Sequence, residues 1–247
     1  MQALMLAAGL GKRLAAYTKD NTKCMVDVAG SKLIDRAISA IKKAGIKKFV
    51  IVTGYKADNL KQYILDNHSG ELKFVFIENK DYATTNNIYS FYLAKDELIK
   101  DDTILLESDL IYDLDLIKDV NESDGDNIVV VAKHEPWMDG TCVTLDKNNN
   151  VSEFIEKKDL DASNMDQYYK TVNIYKFSKE FVSKTYLPCL EEYMKKNGLN
   201  SYYETSLKEI VKLPGITLKT FLMNYRPWYE IDNPTDLEVA NKLFLNK

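Results

Sequence analysis

Leu4-Met5-Leu6-Ala7-Ala8-Gly9-Leu10-Gly11-Lys12-Arg13 decides how the rest of the chain is read. An apolar run passes straight into a turn of small residues, and two cations follow at once. Glycine adopts backbone angles closed to other residues and lets the main chain come close to a bulky group. Consecutive amide N–H groups in such a turn make an anion-binding concavity, and Lys12, Arg13 and the nearby Lys23 add positive charge. The stretch predicts a strand followed by a phosphate-holding loop at the start of an α/β sheet. A bare G-x-G after a strand also fits an ordinary tight turn, so the surrounding pattern has to decide.

Outward from the loop, Leu33, Ile34, Ala37, Ile38, Ile41 and Ala44 follow helical spacing, with Ser31 as the expected cap and Gly45 as the stop. Residues 49–52 read as a buried strand, 57–65 as a polar helix and 73–77 as a third strand. This alternation indicates βαβ units and a parallel sheet. The polar segment 81–87 precedes a helix over 88–98, and a strand over 103–107 delivers Ser108-Asp109 at its C-terminal end. A helix near 115–120 and a strand over 128–132 complete a nucleotide-binding half, 1–132.

Residues 133–247 have a different texture. Segments 141–145 and 151–155 flank Lys147-Asn148-Asn149-Asn150 as a hairpin, and 171–177 is a strand. Helices are expected over 179–196, bent or split at Pro188, and over 203–211. Strands near 218–222 and 229–231 lead to Asn233-Pro234, which suits the first turn of a last helix. No Pro- or Gly-rich linker separates the halves. The expectation is one domain over 1–247: a Rossmann-like, doubly wound α/β sheet of mixed direction, with a smaller antiparallel region covering the strand ends.

Composition narrows the function. The 247 residues carry a net charge of −4, which argues against nucleic acid as the main partner. No apolar run approaches the roughly 18–20 residues of a membrane span, and the N-terminus lacks the basic start and cleavage site of a signal peptide. Three cysteines, Cys24, Cys142 and Cys189, are odd in number, far apart and in no C-x-x-C pair. They read as reduced thiols of a cytoplasmic protein, without a zinc site. His68 and His134 are the only histidines, so histidine-based chemistry would have to pass through one of them.

Three glycine-loop chemistries can be separated. The dinucleotide fingerprint wants a third glycine where Leu14 stands. A P-loop ending at Gly11-Lys12 would need glycine at Leu6 and a hydroxyl residue at Arg13. The third is the Leu-Ala-Ala-Gly-x-Gly-x-Arg loop of GT-A-like nucleotidyltransferases, matched at Leu6, Ala7, Ala8, Gly9, Gly11 and Arg13. Along nearly its whole length the chain resembles these enzymes, most of all the CTP:phosphocholine cytidylyltransferases. Relatives of those act on phosphoethanolamine, 2-aminoethylphosphonate or phosphorylated amino-acid derivatives. The resemblance implies that the loop, Lys12 included, wraps the triphosphate, and that Arg13 and Lys23 neutralise its charge. In one departure, Cys24 stands where the family usually has proline after the lysine.

Displacing pyrophosphate calls for a charge clamp on the α-phosphate, usually Mg²⁺ held by one or two carboxylates. Asp109 ends an apolar strand, on the ligand-facing side of an open parallel sheet. Asp232 follows Trp228-Tyr229-Glu230-Ile231. An aspartate at a strand end is by itself most often a turn former or a helix cap. Ser108-Asp109 and Tyr229-Glu230-Ile231-Asp232 nonetheless resemble the family's metal-binding segments, which implies that both aspartates bind Mg²⁺ and that Ser108 borders the nucleotide.

Asn86-Asn87-Ile88-Tyr89-Ser90 resembles the Asn-Asn-x-Tyr-Ser stretch of the phosphocholine enzymes, making Asn86, Asn87 and Ser90 candidates for the cytidine site. As plain sequence it is a helix start, and the two readings coexist because a helix start presents free N–H groups. Phe154-Ile155-Glu156-Lys157-Lys158 resembles the Glu-Lys segment that holds the acceptor phosphate, so Lys157 is the candidate for orienting the attacking oxygen. Aromatic rings and carboxylates suit an ammonium group; Glu135, Trp137, Asp139, Tyr175, Trp228 and Tyr229 are the acceptor candidates. An aromatic box would favour a quaternary ammonium and carboxylates a bare one, and this list holds both.

The resulting expectation is a Mg²⁺-dependent cytidylyltransferase joining CMP from CTP to a small amine-bearing phosphate or phosphonate. Neither nucleic acid nor membrane insertion is expected, and a homo-oligomer is compatible with it. The alternatives are a sugar-1-phosphate nucleotidyltransferase using UTP, dTTP or GTP, and a silent nucleotide-sensing module, whose loop cations or aspartates would be degraded.

Overall fold

The structure, a computed structural model, describes residues 1–245. Nine strands form its main sheet: β1 (Gln2–Ala7), β2 (Lys48–Thr53), β3 (Lys73–Glu78), β4 (Thr103–Glu107), β5 (Ile128–Lys133), β6 (Cys142–Leu145), β7 (Val151–Ile155), β8 (Tyr169–Phe177) and β9 (Lys219–Leu222). Their order is β7-β6-β8-β4-β1-β2-β3, with β5 also on β8 and β9 on β5. β1 pairs in parallel with β2 on one side and β4 on the other, and β2 with β3. The long β8 runs antiparallel to β4, β5 and β6. This is the mixed, doubly wound α/β architecture that the sequence predicts, and both halves contribute to one sheet.

From β1 the chain builds outward to β2 and β3, then returns to place β4 on the opposite side of β1. Ligand crevices of open α/β sheets form at such a reversal, beyond the carboxyl ends of the strands. Ala8–Gly11 follow β1 there, and Ser108-Asp109 follow β4. Every residue of β1 is buried, so its end is held firmly.

The helix Leu33–Lys43 buries Ile34, Ala37, Ile38 and Ile41 against the sheet, and Leu33 in a separate cluster with Leu14, Val26 and Ile231. Each fully buried aliphatic side chain of this kind is worth about 1.5–3 kcal/mol relative to exposure. Gly45 ends it with a φ of +72°, donating to Lys42 O at 2.9 Å, while Ile46 donates to Ile41 O at 3.2 Å. The expected Ser31 cap is not made. Ser31 pairs with Val28 in a two-residue ribbon, and the helix begins without a side-chain cap. The helix expected over 88–98 breaks at Ala94 into Asn87–Leu93 and Lys95–Leu98. The one expected over 179–196 contains a wide turn at Val182–Tyr186, after which Pro188 sits in the first turn of Leu187–Asn197. There the missing proline N–H is no loss.

A second, two-stranded ribbon pairs Leu110–Tyr112 with Trp228–Glu230, and Ile231 N extends it by donating to Asp109 O at 2.9 Å. It ties the end of β4 to the start of the last helix, Pro234–Phe244. Among the described residues no helix is long and apolar enough to cross a membrane.

Candidate active site

A cleft of about 890 Å³ opens over the reversal point. One wall is the loop after β1, where Gly11 has a φ of +59° and its carbonyl accepts from Thr18 Oγ1 at 3.0 Å. The loop lies against Gly54: a Cβ there would come 2.7 Å from Ala8 O and 2.8 Å from Tyr82 Cβ. Only glycine permits that approach, which fixes Ala8 beside the cleft.

Lys23 reaches the cleft floor from the short turn Lys23–Met25. Met25 N donates to Thr22 O at 3.0 Å and Val26 N to Lys23 O at 3.1 Å, while the Cys24 side chain is buried with its sulfur 3.1 Å from Thr22 Oγ1. These bonds and the buried thiol hold the turn without a proline. Burial pushes the Cys24 thiol up to about 12.

The Lys23 ammonium donates to Asp109 Oδ2 at 2.7 Å and to Asp232 Oδ1 at 2.6 Å. Arg13 joins Asp232 Oδ1 at 2.7 Å from the solvent side. Burial disfavours the Lys23 charge, but the two carboxylates outweigh it and hold the group above the usual lysine range. Asp232 is anchored through its own amide, which donates to Asp236 Oδ2 at 2.9 Å; Asp236 also closes a capping box with Asn233.

Asp109, Glu230 and Asp232 each offer a carboxylate oxygen, all within 4.8 Å of one another. Asp109 Oδ1 is buried and has no hydrogen-bond partner among the described residues, an expensive state for a carboxylate unless a cation completes it. A cluster of hard oxygen donors fits Mg²⁺ and not a thiophilic metal.

Beside the glycine loop, Asn86 caps its helix by accepting from Asn87 N at 2.8 Å. Asn87 donates to Glu107 Oε1 at 3.1 Å and accepts from Tyr203 N at 3.1 Å. Buried Ser90 accepts from Asn79 Nδ2 at 3.1 Å. One residue beyond Tyr203, Glu204 accepts from Thr141 Oγ1 at 3.1 Å, from Thr171 Oγ1 at 3.2 Å and from the Tyr175 hydroxyl. Burial, then the neighbouring charges of Asp109, Glu204 and Glu230, push the Glu107 carboxyl well above the usual range.

A family model for nucleotidyl transferase matches residues 2–212. The chain belongs to the nucleotidyl transferase family. It is 31% identical over 97% of its length to the CTP:phosphoglutamine cytidylyltransferase of Campylobacter jejuni subsp. jejuni, of which it covers 98%. It is 25% identical over 99% of its length to the CMP-5'-(3-aminopropyl)phosphonate synthase of Streptomyces rubellomurinus, but spans only 39% of that protein. The structure of CTP:phosphocholine cytidylyltransferase from Streptococcus pneumoniae superposes with a TM-score of 0.80 at 21% identity, covering 98% of this chain and 97% of the other, a likeness of fold.

In this nucleotidyl transferase, Leu6, Ala8, Gly9, Gly11, Lys12, Arg13 and Lys23 line the cleft, as do Asn86, Asn87, Ser90, Ser108, Asp109, Asp139, Lys157 and Asp232. Ala7 does not; as the last residue of a buried strand it packs in the core. Lys157 stands at the exposed rim, 3.0 Å from Asp139 Oδ1.

Most of the expected aromatic acceptor group lies elsewhere. Tyr175 is fully buried and spends its hydroxyl on Glu204. Trp228 packs in the core, opposite Tyr112. Trp137 stacks flat on Tyr229, at 4.8 Å and 1° between ring planes, and donates to Glu135 Oε2 at 2.6 Å. Glu135, Trp137, Tyr175, Trp228 and Tyr229 are thus committed to one another or to the core, outside the cleft lining.

Sequence reasoning missed Asn79, Glu107, Lys170, Asn173, Glu204 and Glu230, all lining the cleft. Two signals were present: Glu107 and Glu230 end strands beside Asp109 and Asp232, and Lys170 interrupts a run of strand-forming residues.

Proposed function

We propose that the protein is a Mg²⁺-dependent cytidylyltransferase that transfers CMP from CTP to a small phosphate or phosphonate bearing an amine. The observation that carries this reading is the meeting of Asp109 and Asp232 around Lys23 directly beneath the glycine loop. Support for cytidine and for the acceptor class comes from the relatives, whose names join CTP, CMP or cytidylyl transfer to phosphoglutamine, aminopropylphosphonate, 2-aminoethylphosphonate and choline phosphate.

The acceptor's oxyanion attacks the α-phosphorus of CTP. A new P–O bond forms, the bond to the β-phosphate oxygen breaks, and pyrophosphate leaves with the electron pair. The nucleophile is already ionised at neutral pH, so positioning and charge neutralisation suffice without a protein base. Backbone N–H groups of the loop bind the triphosphate, with Lys12 at its edge and Arg13 and Lys23 neutralising its charge. Asn86, Asn87 and Ser90, backed by Asn79, face the base. Asp109 and Asp232 hold the Mg²⁺, which when bound supplies positive charge at the α-phosphate. Lys157 draws in the acceptor's phosphorus group at the rim. Glu204, with its carboxylate oriented by three hydroxyls, meets the acceptor's ammonium.

A pyrophosphate-release assay crossing CTP, UTP, dTTP and GTP with 2-aminoethylphosphonate, phosphoethanolamine, phosphocholine and hexose 1-phosphates tests the reading. CTP with an amine-bearing acceptor is the expected productive pair. Turnover confined to a hexose 1-phosphate with another nucleotide would overturn it in favour of a sugar nucleotidyltransferase.

A further inference from the structure

Lys170 carries an ammonium that none of the roles above uses. Its side chain is only 2% exposed, yet it forms part of the cleft wall. The ammonium donates to Thr171 O at 2.5 Å and lies 3.5 Å from Glu230 Oε2. An ammonium has three N–H donors, and these contacts leave one for a ligand oxygen. Gly140, whose φ is +99°, lies against this group, and a Cβ there would crowd it at 3.2 Å from Lys170 Nζ.

The strand is shaped to present this group. On a regular strand, residues three apart point to opposite faces. In β8 the pairing with β5 slips between Thr171 and Tyr175, and Asn173 adopts a φ of +58°. The bulge turns Asn173 to the same side as Lys170, so both line the cleft and both touch Glu230, Asn173 Nδ2 at 3.3 Å from Oε1. Glu230 in turn lies among the carboxylates of Asp109 and Asp232. Lys170 therefore stands on the cleft wall in direct contact with the carboxylate cluster, through Glu230.

The geometry points to Lys170 as a further catalytic residue, the cation that grips the acceptor's attacking phosphate or phosphonate oxygen. This rests on the cytidylyltransferase reading. Lys157 is poorly placed to do this alone. Its side chain is 64% exposed and paired with an Asp139 that is 59% exposed, so water and salt screen it. A sealed ammonium interacts with an oxyanion several times more strongly and loses less freedom in doing so. Lys157 collects the incoming anion at the rim, and Lys170 fixes its oxygen against the α-phosphorus.

The test compares wild type with Lys170→Met, which keeps the side chain's length and apolar stem, using CTP and the best phospho-amine acceptor. The expected result is a roughly 30- to 100-fold fall in kcat/KM for the acceptor, with CTP affinity measured without acceptor within threefold of wild type. The fall should exceed that of Lys157→Met. In Lys170→Ala, added methylammonium should restore part of the lost rate, which a purely structural lysine would not allow. An acceptor KM and kcat close to wild type, or an equal loss of CTP affinity with no amine rescue, would overturn the assignment. A wild type inactive on every phospho-amine would instead overturn the cytidylyltransferase reading, and the Lys170 assignment with it.

Discussion

Asp109 and Asp232 share a single ammonium, that of Lys23, at 2.7 and 2.6 Å. One oxygen of Asp109 is left buried and unpartnered beside it. Lysine thus neutralises a carboxylate pair that would otherwise repel, in the place where a divalent cation fits. Asp109→Asn keeps the shape, removes one negative charge and leaves Lys23 its bond to Asp232. Pyrophosphate release should fall about a hundredfold or more, while a thermal melt shifts little.

Removing the ammonium should act on stability and on metal response together. Lys23→Met leaves Asp109 and Asp232 facing each other partly buried, at a cost of about 2–4 kcal/mol. Added Mg²⁺ should then raise the melting temperature more in the variant than in wild type, since the metal no longer competes with Lys23. Melts with and without Mg²⁺ check this, and turnover should drop sharply in the same variant.

Gly54 tests the loop from behind. An alanine methyl would meet the Ala8 carbonyl and Tyr82 at contact distances no Cβ tolerates. Gly54→Ala should cost about 1–3 kcal/mol and push the loop toward the cleft, read as a raised KM for CTP at an unchanged KM for the acceptor.

Glu204 should set acceptor preference. Glu204→Gln keeps the size and most of the hydroxyl contacts but removes the charge. The kcat/KM for an amine-bearing acceptor should fall roughly tenfold to a hundredfold. The KM for CTP should hold, and the preference for 2-aminoethylphosphonate over a phosphate monoester without an amine should shrink.

Trp137 provides the opposite expectation. Its ring lies on Tyr229, outside the cleft lining. Trp137→Ala should therefore lose only the stacking, about 0.5–1.5 kcal/mol, and leave acceptor KM near its original value.

Much of the sheet was legible because it depends on local chemistry. The apolar run of β1, the helical spacing over 33–43 and the punctuation at Gly45 each have a single economical solution. The Ser31 cap failed because a neighbouring ribbon claimed Ser31 for main-chain pairing. Within the site, residues next to a glycine turn or a strand end could be read, since position alone exposes them. The acceptor end could not. Tyr175 and Trp228 look identical in sequence whether they face a ligand or a core. Asn173 reaches the cleft beside Lys170 only through a bulge whose register depends on distant strands.

The ribbon joining Leu110–Tyr112 to Trp228–Glu230 has a consequence for how the molecule matures. Contacts so far apart along the chain close large loops and form late in folding. The glycine loop, β1 to β4 and Asp109 all precede Asp232, which becomes part of the site only when that ribbon closes and the helix Pro234–Phe244 caps it. A chain growing on the ribosome would present the glycine loop and Asp109 before Asp232 has been made. The pair of aspartates is thus completed only after residues 228–244 have been made and the ribbon has closed.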